Sequence, residues 1–81
     1  MTTKSSISVE RVQRNVRRLR AERGMSQHAL ATKADITRAY LGRVEARGQN
    51  ITLSTLDALA EALDVDPQEL LADPDEDSPT D

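Results

Sequence analysis

The stretch Ser26–Gly48, SQHALATKADITRAYLGRVEARG, decides the fold. It reads as two short helices joined by a tight corner, with arginines along the second. Ser26 is a good N-cap, because its hydroxyl can accept from the free N–H groups of the first turn. The first helix ends near Ala34. Leu30, Ala31 and Ala34 share its inward face, and Gln27, His28 and Lys33 are expected to face out. Two turns cannot stand alone, so other elements must cover that face. Asp35 takes the corner, where the chain needs a left-handed backbone that Asp tolerates better than most residues other than Gly and Asn. Ile36 plugs the corner, Thr37 caps the second helix, Leu41 and Val44 point inward, and Gly48 closes the helix.

The outward stripe of the second helix is Arg38, Ala39, Gly42, Arg43, Ala46 and Arg47. Small side chains let a backbone lie close to another surface, and the arginines flank them with planar donor forks suited to phosphates and guanine edges. Ala39 is the right size to touch a thymine methyl. Gly42 costs about 1 kcal/mol against Ala in a helix interior, which close approach to a partner would explain. A plainer reading stands beside this one. Arg43 and Arg47 also complement the dipole at the helix end, and Gly42 is tolerable drift.

The flanking segments complete a helical bundle. A helix from about Val9 to Arg23 carries Val9, Val12, Val16 and Leu19 at helical spacing, with Ser8 as its cap and Gly24 at its end. Arg11, Arg14, Arg17 and Arg18 crowd its exposed side, with Glu10–Arg14 as the well-oriented i,i+4 pair. Unpaired arginines repel and point to an anionic partner nearby. For Arg11 and Arg14 the simpler account is a solvated face whose stems lie over the core. After Gly48 the chain turns through Gln49, Asn50 and Ile51, and Thr52 caps a fourth helix whose Leu53, Leu56, Leu59, Ala60 and Leu63 finish the core. Asp64 and Val65 make the next corner. Asp66-Pro67-Gln68-Glu69 then combines an Asp cap, Pro at the first helical position and Glu in the first turn, opening a short fifth helix with Leu70 and Leu71.

These residues resemble the helix-turn-helix of the phage repressor and Cro superfamily, the small Xre-like bacterial regulators. Leu30, Ala31, Ala34, Ile36, Leu41 and Val44 match its apolar positions, and Met25-Ser26-Gln27 matches its usual entry. Tyr40 with Glu45, then Gly48 to Asn50 leading into Leu53 and Leu56, extends the match, which covers roughly residues 9 to 72. The short length and the Arg38-Ala39-Tyr40 run look most like the controller proteins of restriction-modification systems. The resemblance implies an all-α, compact five-helix, lambda-repressor-like DNA-binding domain over residues 7–72. It also implies a pairing of Arg20 with Glu45 that ties the first helix to the recognition helix. The corner Asp35 stands where the family usually has Gly. Relatives that activate transcription often carry acids just after the position of Gln27 for contact with RNA polymerase, whereas this chain has His28 and Ala29. Contact with RNA polymerase is therefore left open.

The expected function is that of a sequence-specific double-stranded DNA-binding transcription regulator. Gln27 and the N-terminus of its helix would hold a phosphate, Arg38 and Arg43 would read base edges, and Thr37 and Ala39 would add close contacts. Tyr40, Arg47, Gln49 and Asn50 would hold the backbone. For Gln49 and Asn50 a turn held by its own Asn is the alternative. A domain of roughly 65 ordered residues buries only about 60% of its unfolded surface. Dimerisation through the fourth and fifth helices, with Leu70 or Leu71 at the interface, would add core. It would also place two recognition helices about 34 Å apart on a pseudo-palindromic site, and autoregulation is then a natural use.

Charge is divided along the chain. Residues 1–50 hold all eleven Lys and Arg against four acids, and residues 51–81 hold ten acids and no base, so the net −3 conceals a dipolar molecule. Residues 1–6 and the acidic tail 73–81, with Pro74 and Pro79, are polar enough to be expected disordered. An antitoxin or other protein-interaction module on the same fold, using the acidic half against a basic partner, is the second reading.

Composition argues against other classes. With no cysteine and one histidine, a zinc finger, a disulfide scaffold or an ordinary metal site is not expected, nor is any cofactor. Tyr40 is the only aromatic residue, so the stacking platforms of single-strand and RNA binders are missing. No apolar run reaches membrane-spanning length and no signal-peptide core is visible, so a cytoplasmic protein without a membrane partner is expected. No nucleophile, base and oxyanion grouping can be assembled, so the chain is not read as an enzyme.

Overall fold

The computed structural model describes residues 7–48 and 51–73. Five helices follow in order: α1 Ile7–Glu22, α2 Gln27–Ala34, α3 Arg38–Arg47, α4 Leu53–Leu63 and α5 Pro67–Leu71. No strand occurs among the described residues. α1 lies across the bundle and packs on α3, α4 and α5, while α2 is held between α3 and α4.

Local chemistry accounts for the helix starts. Ser26, Thr37 and Thr52 each sit in extended backbone, and their hydroxyl oxygens accept from Ala29, Tyr40 and Thr55 N–H, all at 3.0 Å. Asp66 does the same for Gln68 N–H at 2.8 Å, with Pro67 at the first helical position. α1 starts at Ile7, ahead of the expected Val9, so Ser8 is a first-turn residue and not the cap. Helix ends fray by a residue or two, and the apolar spacing that located α1 marks its packed turns only.

The ends of α1, α2 and α4 share one device. Gly24, Asp35 and Asp64 adopt left-handed backbone, with φ of 64°, 62° and 60°. The next residue, Met25, Ile36 or Val65, donates its N–H back to Arg20, Ala31 or Ala60 carbonyl at 2.9–3.0 Å. That is the Schellman pattern, and each of these three residues also packs partly buried on the core, so one position closes the helix and plugs the corner. The two Asp corners thus serve as Gly corners would, at a cost of about 1 kcal/mol each in backbone preference.

The core draws on all five helices. Val12, Val16 and Leu19 meet Leu30, Ala31 and Ala34, with Leu41 and Val44 from α3, Leu56, Leu59, Ala60, Ala62 and Leu63 from α4, and Leu70 from α5. Two leucines differ from expectation. Leu53 is 79% exposed. It opens α4, and since side chains tilt toward a helix's N-terminus, it overhangs the core instead of entering it. Leu70 is 0% exposed, so its side chain belongs to the interior of this chain and has no surface to offer a second subunit. Leu71, at 37%, remains available.

Candidate nucleic-acid interface

The sequence of α3 sends Leu41 and Val44 into the core and leaves Arg38, Ala39, Arg43, Ala46 and Arg47 exposed on the opposite side. Gly42 lies among them, half-buried, and a Cβ added there would meet nothing within 4 Å. Nothing inside the molecule therefore calls for a glycine at that point. Tyr40 is half-buried at the edge of this face. Thr37, exposed at the N-terminus of α3, spends an oxygen lone pair on its cap and keeps its O–H as a donor. Gln49 and Asn50 lie outside the described residues.

What holds α3 is a polar cluster centred on Glu45, which is 3% exposed. Arg20 of α1 donates through Nε to Glu45 Oε2 at 2.7 Å and through Nη2 to Oε1 at 3.0 Å, a bidentate pair. Its Nη1 donates to the Met25 carbonyl at 2.9 Å, so one guanidinium joins the α1 corner to α3. The hydrogen bond to Glu45 raises the Arg20 pKa above its ordinary value, outweighing the opposing effect of burial.

Gln27 is not turned to solvent. Its Nε2 donates to Glu45 Oε1 at 2.9 Å, so α2 is tied to α3 by the same carboxylate. A buried carboxylate with unused lone pairs recruits the nearest donor, and the start of α2 supplies it. Phosphate capture at this point then falls to the N–H groups of the first turn of α2 that the Ser26 cap leaves free.

Two positioning residues on α1 had no distinctive sequence signal. Gln13 Nε2 donates to the Glu45 and Ala46 carbonyls at 2.9 and 3.0 Å, capping the C-terminal end of α3 from another helix. Asn15, fully buried, donates to the Leu70 and Ala72 carbonyls at 3.0 and 2.8 Å and so anchors α5. Their one available cue is a polar residue beside the apolar stripe of α1, and that cue does not name a partner.

Among the described residues there is no grouping of His, Asp and Glu able to hold a metal ion, and no helix is long and apolar enough to cross a membrane.

Comparison with known proteins agrees with this geometry. A family model described as Helix-turn-helix, HTH_3, matches residues 16–70. Control protein C.SmaI of Serratia marcescens is 44% identical over 57 residues, which are 70% of this chain and 68% of that protein. The crystal structure of the restriction-modification controller protein C.AhdI from Aeromonas hydrophila superimposes with a TM-score of 0.74 at 35% identity, over 80% of this chain and 98% of that one. C.Esp1396I bound to a 25 base pair operator site gives a TM-score of 0.75 at 27% identity, over 83% of this chain and 87% of the other. The chain belongs to this helix-turn-helix family and, within it, to the group that contains the control protein C.SmaI.

Proposed function

We propose that this protein is a sequence-specific double-stranded DNA-binding transcription regulator of the restriction-modification controller type, which lays α3 in the major groove of a pseudo-palindromic operator as a homodimer. The observation that carries this reading is the exposed face of α3, arginines around small residues, on a helix clamped from behind by Arg20, Gln27 and Gln13. A reading helix must be rigid, because its side chains have to meet base edges within hydrogen-bond tolerance. Arg38 and Arg43 are assigned to base edges, Thr37 and Ala39 to close contacts, and Tyr40, Arg47, Gln49 and Asn50 to the phosphate backbone. The first turn of α2, at Gln27, is assigned to a phosphate. DNA-binding regulators make up the family, and none of these roles is enzymatic.

Fluorescence anisotropy on the duplex upstream of the protein's own gene, against a scrambled duplex and across a salt series, tests the reading. The native site is expected to bind at least ~10³ tighter, with a steep negative salt slope. Equal, weak binding to both would reject that operator. In the same assay Arg38→Ala is expected to cost about 1–3 kcal/mol and relax one base position, whereas Arg47→Ala weakens all sequences alike and reduces the salt slope by about 1.

Gly42→Ala separates stability from binding. In a helix with open space at Cβ, Ala is expected to stabilise the fold by about 0.8–1 kcal/mol, seen as a higher Tm. The added methyl stands where the DNA surface comes closest, so operator affinity falls while stability rises. Unchanged affinity would remove Gly42 from the interface.

The dimer surface is assigned to an apolar groove of about 270 Å³ between the start of α1 and the α4–α5 side, lined by Val9, Val12, Ile51, Leu53, Leu56 and Leu71. Ile7 and Leu53 are the most exposed large apolar residues described, at 60% and 79%, and Leu71 follows. Sedimentation is expected to show a dimer at tens of micromolar that Leu53→Glu dissociates; a wild-type monomer at that concentration would reject this assignment.

A further inference from the structure

The outer side of α1 carries Arg11, Arg14, Arg17 and Arg18, and the reading above uses none of them. Arg18 pairs with Glu22 at 3.1 Å, and Arg11 pairs with Asp73 at 3.7 Å. Arg14 and Arg17 are exposed and have no ion pair among the described residues. Like charges crowded on two turns of helix repel one another, so an anionic cover would lower the energy of this face.

The end of α5 is delivered to the same helix. Asn15 holds the Leu70 and Ala72 carbonyls, and Arg11 holds the Asp73 carboxylate, so the chain leaves the bundle against α1. The residues that come next are Pro74, Asp75, Glu76 and Asp77, then Ser78, Pro79, Thr80 and Asp81, with no base among them. Arg11 to Arg18 spans about 10 Å of helix, at about 1.5 Å per residue. A segment of eight residues reaches about 26 Å at about 3.3 Å per residue, which is ample. Because its first residue is already on the helix, closing this contact costs little loop entropy.

We propose that residues 74–81 lie along α1 of their own chain, with Asp75, Glu76 and Asp77 set against Arg14 and Arg17. The arginine face of α1 is then a docking surface for the protein's own acidic segment. The consequence, which alone rests on the DNA-binding reading, is a brake on non-specific duplex affinity: the segment occupies cations that would otherwise attract phosphate.

The chain has no cysteine, so Ser78→Cys gives a single site for a nitroxide label. In about 0.02 M salt the label is expected to broaden backbone amide NMR signals from Arg14 to Arg18 at least twofold more than those of α3. In about 0.5 M salt, where the screening length falls to about 4 Å, that difference is expected to vanish. It is also expected to vanish in the Arg14→Gln, Arg17→Gln variant. Broadening that is equal at both salt concentrations reports the tether alone and overturns the proposal, as does broadening centred on another helix. Broadening of unlabelled chains mixed with labelled ones would assign the contact to a second copy and overturn it equally. With DNA, a chain ending at Asp73 is expected to bind scrambled duplex several-fold tighter at low salt, with a smaller gain in the Arg14→Gln, Arg17→Gln background. The label experiment contains no DNA, so it fails or succeeds independently of the operator reading.

Discussion

Arg20→Ala is expected to lower the unfolding free energy by about 3 kcal/mol. The substitution leaves Glu45, 3% exposed, with Gln27 as its remaining side-chain donor, and it strips the Met25 carbonyl of the Nη1 bond. Removing one member of a buried ion pair costs about 3–5 kcal/mol, because the other charge is stranded in low dielectric. The lower end applies here, since the Arg20 side chain is 21% exposed and water can partly reach the site. For a domain of this size, whose total stability is of the order of 5 kcal/mol, that loss is close to unfolding at 37 °C. Urea denaturation reads it directly. Replacing both partners, Arg20→Met with Glu45→Leu, is expected to recover much of the loss, because no charge is then left buried. A single variant within about 0.5 kcal/mol of wild type would show that the pair does not hold α3.

Gly48→Ala is expected to cost about 2–4 kcal/mol, from two separable causes. Gly48 closes α3 at φ 60°, where an L side chain pays about 1–2 kcal/mol. The new Cβ would also collide with Val9 Cγ1 on α1 and stand 3.3 Å from the Val9 carbonyl oxygen and Gln13 Oε1. Overpacking of that kind adds about 1–3 kcal/mol. The Val9→Ala background removes the Cγ1 collision but leaves the backbone cost, so Gly48→Ala is expected to be milder there by at least about 1 kcal/mol. Equal costs in both backgrounds would assign the whole effect to φ. Because Gly48 also directs the chain from α3 toward α4, operator affinity is expected to fall with stability.

Both sites show where reading the chain stops. Gly48 is legible as a helix terminator, since its position after Arg47 and the left-handed preference are local facts. That Val9 stands over it is not local, because the two meet only when α1 crosses the end of α3. The Arg20–Glu45 pair, 25 residues apart, followed from family resemblance and not from spacing. Gln27 was legible as the start of α2 but not as a ligand of Glu45, because an exposed-looking amide at a helix start carries no mark of which carboxylate lies beside it.

The sequence by itself determined the five helices, their caps and their corners. Ser26, Thr37, Thr52 and Asp66 act on N–H groups two or three residues away, and Asp35, Asp64 and Gly48 act through their own φ. It also determined the basic outer faces of α1 and α3, since helical period alone separates inward from outward residues. Only the tertiary structure decided which polar side chains became fasteners: Gln13 on carbonyls 32 and 33 positions away, and Asn15 on carbonyls 55 and 57 positions away. It also put Leu53 outside and Leu70 inside. Periodicity states which face of a helix is apolar, but the ends of neighbouring helices decide how far the core extends along it.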